Sequence, residues 1–294
     1  MFLVFLSFCL LVGTDVESIQ VPTVLLFIEY LSQNGLLPSS IRNYMCGIQV
    51  FFKWFSLNTQ ALTHFKVSLM YKALDRSVHR NPKFKGVFTI HHLQEILHFT
   101  ETLPFSNIYK TIYLFAYFGF LCISNLVPPS KKSFSLKKHL CRADVLLNST
   151  NVVVLIKWSK TLQATNQGSY IVLPKFKNVE ICPFYHFNLM CQRYPVPKNF
   201  PCFGSVRFCV VESVLRNHLR SIVTSMGLDP LVYTSHTFRR SGATLAHNLD
   251  ISIENIKRHG TWQSDAVNSY IIDDPQRASA VAASLARFFD SHQN

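Results

Sequence analysis

Apolar residues recur at helical spacing along most of the chain, and the places where that rhythm stops divide it into sections. The stretch "PTVLLFIEYLSQNG" carries apolar side chains at helical intervals and stops at Gly35, a residue suited to the turn after a helix. "PSSIRNYMCGIQVFFKWFSL" repeats the pattern after Pro38, with Ser39 or Ser40 as its cap, and a weaker helical stretch covers "HFKVSLMYKALDRSV". Residues 1–80 therefore read as short antiparallel helices. From Asp75 to Phe88 the text "DRSVHRNPKFKGVF" is polar, basic and interrupted by Pro82 and Gly86, which predicts a linker centred on residues 81–88. Beyond it, "TIHHLQEILHFTETL" and "NIYKTIYLFAYFGFLCISNLVPPS" are helical runs, the second strongly apolar and ended by Pro128 and Pro129. The period then changes. "NVVVLIKWSK" is β-branched, "TLQATNQG" is turn chemistry and "SYIVLP" is a second strand, so a hairpin is predicted with Lys160 near its tip. Residues 184–226 are mostly helical around the irregular loop "YPVPKNFPCFGS". "SIENIKRHG" is a helix capped by Ser252 and stopped by Gly260; a short helix follows Ser264, and "QRASAVAASLARFFD" closes the chain as another. The fold class is mainly α with a small β-sheet, an α+β second domain following a helical first one.

Composition adds a core and a charge. With 294 residues and 48% hydrophobic content the chain can bury one large or two smaller cores. Lys and Arg number 29 against 16 Asp and Glu, a formal charge of +13, which suits a polyanionic partner such as nucleic acid or an anionic membrane surface. A basic protein with no such partner fits the charge equally well. The 8 cysteines contain no C-x-x-C pair and offer no zinc-ligand spacing, so reduced, buried thiols in an intracellular protein are expected. "MFLVFLSFCLLVG" imitates a signal peptide, but it has no basic flank or small-x-small cleavage site and is too short to span a bilayer. It reads better as the tail of an amphipathic helix whose beginning is missing, with secretion as the alternative for this segment.

Candidate chemistry concentrates in "SHTFRRSGATLAH", where His236, Arg239 and Arg240 interrupt the apolar start of a buried helix. Residues three apart share a helical face, so His236 and Arg239 are expected to project together and Arg240 to be turned away by roughly 100°. Cationic and donor groups gathered on one face call for an anion. An isolated H-x-x-R pattern is usually a surface pair, so the order of the surrounding features matters. That order is "GFLCISNLVPPS", a hairpin lysine in "KWSKTLQ", "HTFRRSGAT" and "HGTWQSDAVNSYI". It resembles the tyrosine recombinases, the phage integrases and Xer-type enzymes, and most closely those of eukaryotic DIRS and Crypton mobile elements.

The resemblance spans nearly the whole chain. It implies a two-domain DNA clamp: a helical, SAM-like core-binding domain over residues 1–80, truncated at its N-terminus, the 81–88 linker, and a catalytic domain over 89–294. It implies that Tyr270 is the nucleophile, that Arg239 holds the non-bridging phosphate oxygens, that His236 moves protons and holds the phosphate, and that Lys160 protonates the leaving 5′-oxygen. The position usually filled by His or Trp falls at Thr261, which leaves Trp262 to take the role and His259 as its substitute. Where the family has its first arginine this chain has Cys122, a degenerate position implying impaired strand cleavage. DNA-binding candidates are Arg42 and Lys53 on the first domain's helices, Lys83 and Lys85 in the linker, and Arg240. No cofactor or metal is implied. Double-stranded DNA is the implied partner, with a homo-tetramer on DNA that would use the apolar face Leu285, Phe288 and Phe289. Implied roles are DNA recombination and integration in an intracellular protein, nuclear if the host is eukaryotic. The alternative is a DNA-binding protein that keeps the recombinase fold without the chemistry.

Overall fold

The computed structural model describes residues 2–77, 85–158 and 168–272. The chain divides into two compact units, Met1–Lys83 and Phe84–Asn294.

The first unit is helical: α1 (Phe2–Leu11), α2 (Val21–Gln33), α3 (Pro38–Trp54) and α4 (Phe65–Ser77). The apolar N-terminal run is a packed helix in which Phe5, Phe8 and Cys9 are buried, Phe5 meeting Phe27 edge-on at 4.9 Å. On α3 the buried residues Ile41, Met45, Ile48 and Phe52 lie three and four apart, the stripe expected of a helix with one core face. Pro38 opens α3, where its missing N–H costs no helical hydrogen bond. Among the described residues no helix is long and apolar enough to cross a membrane.

The second unit begins its helices with α5 (Ile90–Phe99), capped reciprocally: the Thr89 hydroxyl accepts from the His92 amide at 3.1 Å, and His92 Nδ1 accepts from the Thr89 amide at 3.2 Å. Helix α6 (Ser106–Phe118) is buried on nearly every side, as its sequence requires. The predicted continuation of this helix to Pro128 does not occur. The chain breaks at Gly119, passes through Phe120 at φ 49°, and makes only the short helix α7 (Ile123–Leu126). The sheet has three antiparallel strands in the order β1 (Val145–Leu147), β2 (Asn151–Ile156), β3 (Ser169–Pro174). Val152, Val154 and Ile156 point into the core, and Val154 pairs with Ile171 and Val145 on either side. Strand β1 is too short for its periodicity to be read from sequence. After α8 (Pro183–Arg193) and α9 (Glu212–Ser225) come α10 (Ser235–Asn248), which packs on α6, and α11 (Ile253–His259), whose cap Ser252 accepts from the Asn255 amide at 3.3 Å. The helix expected after Ser264 is a single 3-10 turn, Asp265–Ser269.

Two expectations need correcting in detail. Cys46 is exposed and Cys122, Cys191 and Cys209 are half-buried, where burial was expected; no disulfide joins the cysteines among the described residues. Residues 85–88, expected to be linker, are fastened to the second unit. The Phe88 amide donates to Ser241 Oγ at 2.7 Å, the Tyr117 hydroxyl donates to the Phe88 carbonyl at 3.2 Å, and Gly86 lies flat on Tyr233, whose ring a Cβ would meet at 2.7 Å. The expected hairpin tip with Lys160, the expected linker position Lys83, and the expected C-terminal helix with Leu285, Phe288 and Phe289 lie outside the described residues.

Candidate active site

Helix α10 supplies the centre of the site, and its geometry departs from the expected sharing of one face by His236 and Arg239. Spacing of three and spacing of four both bring helical residues together, and here the pair separated by four wins. His236 and Arg240 line one open cavity, whereas Arg239 turns inward and is only 8% exposed. Its Nη1 donates to the Phe120 carbonyl and its Nη2 to the Gly260 carbonyl at 2.7 Å. The guanidinium carbon lies 3.8 Å from the centre of the Trp262 ring and 5.7 Å from that of Tyr270. Burial pulls the Arg239 pKa down, and the neighbouring Cys122 and Tyr270 oppose that shift. A guanidinium starts so high that it stays charged.

The segment carrying Trp262 and Tyr270 is held by strained and crowded backbone. Gly260 must be glycine, because a Cβ there would lie 1.8 Å from the Trp262 ring. Thr261 follows at φ 58°, a left-handed conformation costly for a β-branched residue, and it folds the indole back over Arg239. Phe120, whose carbonyl receives Arg239, is left-handed as well at φ 49°. Trp262 and Tyr270 then meet with ring centres 5.3 Å apart. Thr244 of α10 fixes the end of this segment: its Oγ1 donates to the Tyr270 carbonyl and accepts from the Ile272 amide, each at 3.3 Å.

The open cavity has a volume of about 400 Å³ and is lined by Lys85, Thr234, His236, Arg240, Ser269 and Tyr270. Among the described residues none of its lining side chains is acidic. Lys85 is exposed and its Nζ donates to the Ser269 carbonyl at 3.0 Å, one residue before Tyr270. Arg240 is half-buried, its Nη1 donating to the Gly86 carbonyl at 3.1 Å. Burial lowers its pKa and Tyr270 works against that. Cys122 sits beside the cavity with Sγ 3.7 Å from His236 Nδ1.

The remaining candidates fall elsewhere. His259 turns its Nε2 to the Phe118 carbonyl at 2.8 Å and its ring edge to Phe120, and burial lowers its pKa. Trp262, not His259, is therefore the ring stacked on Arg239. Arg42 and Lys53 belong to the first unit, where Arg42 is paired with Asp75 and Lys53 lies exposed in the last turn of α3. Sequence reasoning missed Thr244 and Ser241 as supports of the site. It also put Arg240 on the wrong side of the helix, although the spacing of four from His236 was there to be read.

The arrangement is a phenol, an imidazole and two cations around an open hollow, with a third cation buried behind the phenol. Such a set can bind an anion and present a phenolic oxygen to it. No protein-family model matches the chain, and no curated protein matches it. Solved structures match its fold. The XerH site-specific recombinase bound to palindromic difH substrate in a post-cleavage complex superposes with a TM-score of 0.60 at 14% identity, over 95% of this chain and 75% of that one. The Tn1549 transposon integrase in complex with transposon right-end DNA gives 0.59 at 12% identity, over 92% and 87%. A lambda integrase dimer bound to a COC′ core site gives 0.55 at 13%, over 92% and 71%. The second unit, mainly helical with a small antiparallel sheet, has the fold of a tyrosine-recombinase catalytic domain.

Proposed function

We propose that the chain is a DNA-binding protein of the tyrosine-recombinase kind, acting on a phosphodiester of double-stranded DNA through Tyr270. The observation that carries this reading is the placement of Tyr270 in one basic cavity with His236, with the Arg239 guanidinium 5.7 Å behind its ring. Similar structures bound to DNA, XerH, Tn1549 integrase and lambda integrase, support DNA as the partner.

In the proposed reaction Tyr270 Oη attacks phosphorus and the bond from phosphorus to the 5′-oxygen breaks. A 3′-phosphotyrosyl link and a 5′-hydroxyl result. His236 assists removal of the phenol proton and holds a phosphate oxygen, and Lys160 is the expected donor to the departing 5′-oxygen. Rejoining is the same displacement in reverse, and because the covalent link conserves the bond energy neither a nucleotide nor a metal is needed. Arg239 contributes positive charge at short range and, through Trp262, orients the phenol.

Cleavage is slow in this reading. Cys122 stands where an arginine would supply a second phosphate donor, and losing one preorganised donor costs about 3–4 kcal/mol, or roughly 10²- to 10³-fold in rate. A mobile-element origin near the DIRS and Crypton recombinases, a core-binding role for the first unit and nuclear action in a eukaryotic host belong to the same proposal. So does a tetramer on DNA, for which the apolar hollow of about 390 Å³ lined by Phe118, Phe176, Leu245 and Leu249 offers a surface to a neighbouring copy. The second reading, a DNA-binding protein without cleavage, is favoured by Cys122 and by the two carbonyls that occupy Arg239.

Nicked suicide duplexes, selected from a random pool by their binding to the protein, separate these readings. The wild type should form a protein–DNA adduct stable to denaturant, Tyr270→Phe none, and Cys122→Arg one formed about 100-fold faster. Binding without any adduct, even from Cys122→Arg, would select the second reading.

A further inference from the structure

The cavity in front of Tyr270 holds two cations that the expected catalytic set does not use. They come from distant parts of the chain. Arg240 reaches the cavity because it follows His236 by four on α10, and Lys85 because residues 85–88 are pinned across that helix by the Phe88 to Ser241 hydrogen bond and by Gly86 against Tyr233. Each is steadied by one backbone carbonyl, Gly86 for Arg240 and Ser269 for Lys85, and among the described residues neither forms an ion pair with a carboxylate. Carbonyl contacts orient a cation without cancelling its charge. A guanidinium has five N–H donors and an ammonium three, so both keep donors for a ligand. The buried Nε of Arg240 has no hydrogen-bond partner among the described residues. Cys122, with Sγ 3.7 Å from His236 Nδ1, is an uncharged thiol where the family has a cation.

We propose that Arg240 and Lys85 form a substitute phosphate clamp at the Tyr270 cavity, binding the non-bridging oxygens of the scissile phosphate in place of the cation missing at Cys122. The inference rests on reading the cavity as a phosphodiester site. Arg240 supplies the directed donors and Lys85 a mobile point charge at the rim, a division that follows from one being half-buried and the other exposed. Because Lys85 also contacts the carbonyl next to Tyr270, a bound phosphate would draw the nucleophile's segment and the clamp together.

The test uses the full chain with inorganic phosphate as the probe, titrated calorimetrically at low ionic strength, and the suicide duplexes in parallel. Arg240→Gln should weaken phosphate binding about tenfold or more and Lys85→Ala by a smaller factor, and each should reduce the slope of log K against log salt for duplex binding by about 0.9. Lys85 is exposed, so its variant tests the clamp even if Arg240→Gln folds poorly. Wild-type failure to bind phosphate, or wild-type affinity in Lys85→Ala and a folded Arg240→Gln, overturns the clamp. An adduct that forms at the wild-type rate in both variants overturns the clamp while leaving Tyr270 cleavage standing. Phosphate binding that depends on both residues, with no adduct from any variant, keeps the clamp and removes the cleavage reading.

Discussion

Gly260 and Trp262 show how a single methyl group can govern the site. The indole covers Arg239 only because position 260 has no Cβ, whose nearest ring carbon would be 1.8 Å away, and because Thr261 accepts φ 58°. Gly260→Ala should force the indole off the guanidinium and destabilise the second unit by about 1–3 kcal/mol, the usual range for overpacking. Chemical denaturation reads the stability, and a shifted indole emission reads the displacement. Unchanged stability and emission would mean that the stack is not held as described. At this scale the sequence left Trp262 and His259 as rivals. One backbone torsion between them decides which ring meets Arg239, and torsions of that kind are not marked by residue type when the residue is threonine.

Helix α10 carries its information on both faces. One presents His236 and Arg240 to the cavity; the other buries Phe238, Arg239 and Ser241. Ser241 does two jobs, donating to the Thr237 carbonyl and accepting from the Phe88 amide, each at 2.7 Å. Ser241→Ala leaves that buried amide without an acceptor, which costs about 1–3 kcal/mol. The thermal midpoint should fall accordingly, and amide exchange at Phe88 should speed up; protected exchange at Phe88 in the variant would show that another acceptor holds residues 85–88. The helical and strand periods of α10, β2 and β3 were legible because each buries one face. The break after α6 was not, since Gly119 to Leu121 are as apolar as the helix before them and only the demand of Arg239 for the Phe120 carbonyl makes sense of the left-handed turn.

Across the whole molecule, burial sets a pH response. His218, hydrogen-bonded to the Tyr113 hydroxyl at 2.8 Å, is pushed down to about 4, and burial lowers His139, His186 and His259 as well. Each is held neutral in the fold and takes up a proton more readily when unfolded, near 6.5. Their contribution is therefore complete above pH 6.5 and is lost as pH falls below it, for His218 toward about 4. The melting temperature of the full chain should drop by roughly 5 °C between pH 7.5 and 5, and His218→Asn should show a smaller drop. A melting temperature that is flat or rises over that interval would contradict the assignment. The division into a helical first part and a mixed second part, the strands around Lys160 and the order of marked residues from Cys122 to Tyr270 were determined by the sequence alone. They depend on local spacing, which short-range sterics and burial translate directly into structure. Tertiary structure decided that Arg239 faces inward, that Arg240 and Lys85 join Tyr270, and that residues 85–88 are fastened beside α10. Those outcomes turn on contacts such as Arg240 to Gly86 and Arg239 to Phe120, 154 and 119 residues apart, and no local pattern encodes the distance between segments so remote.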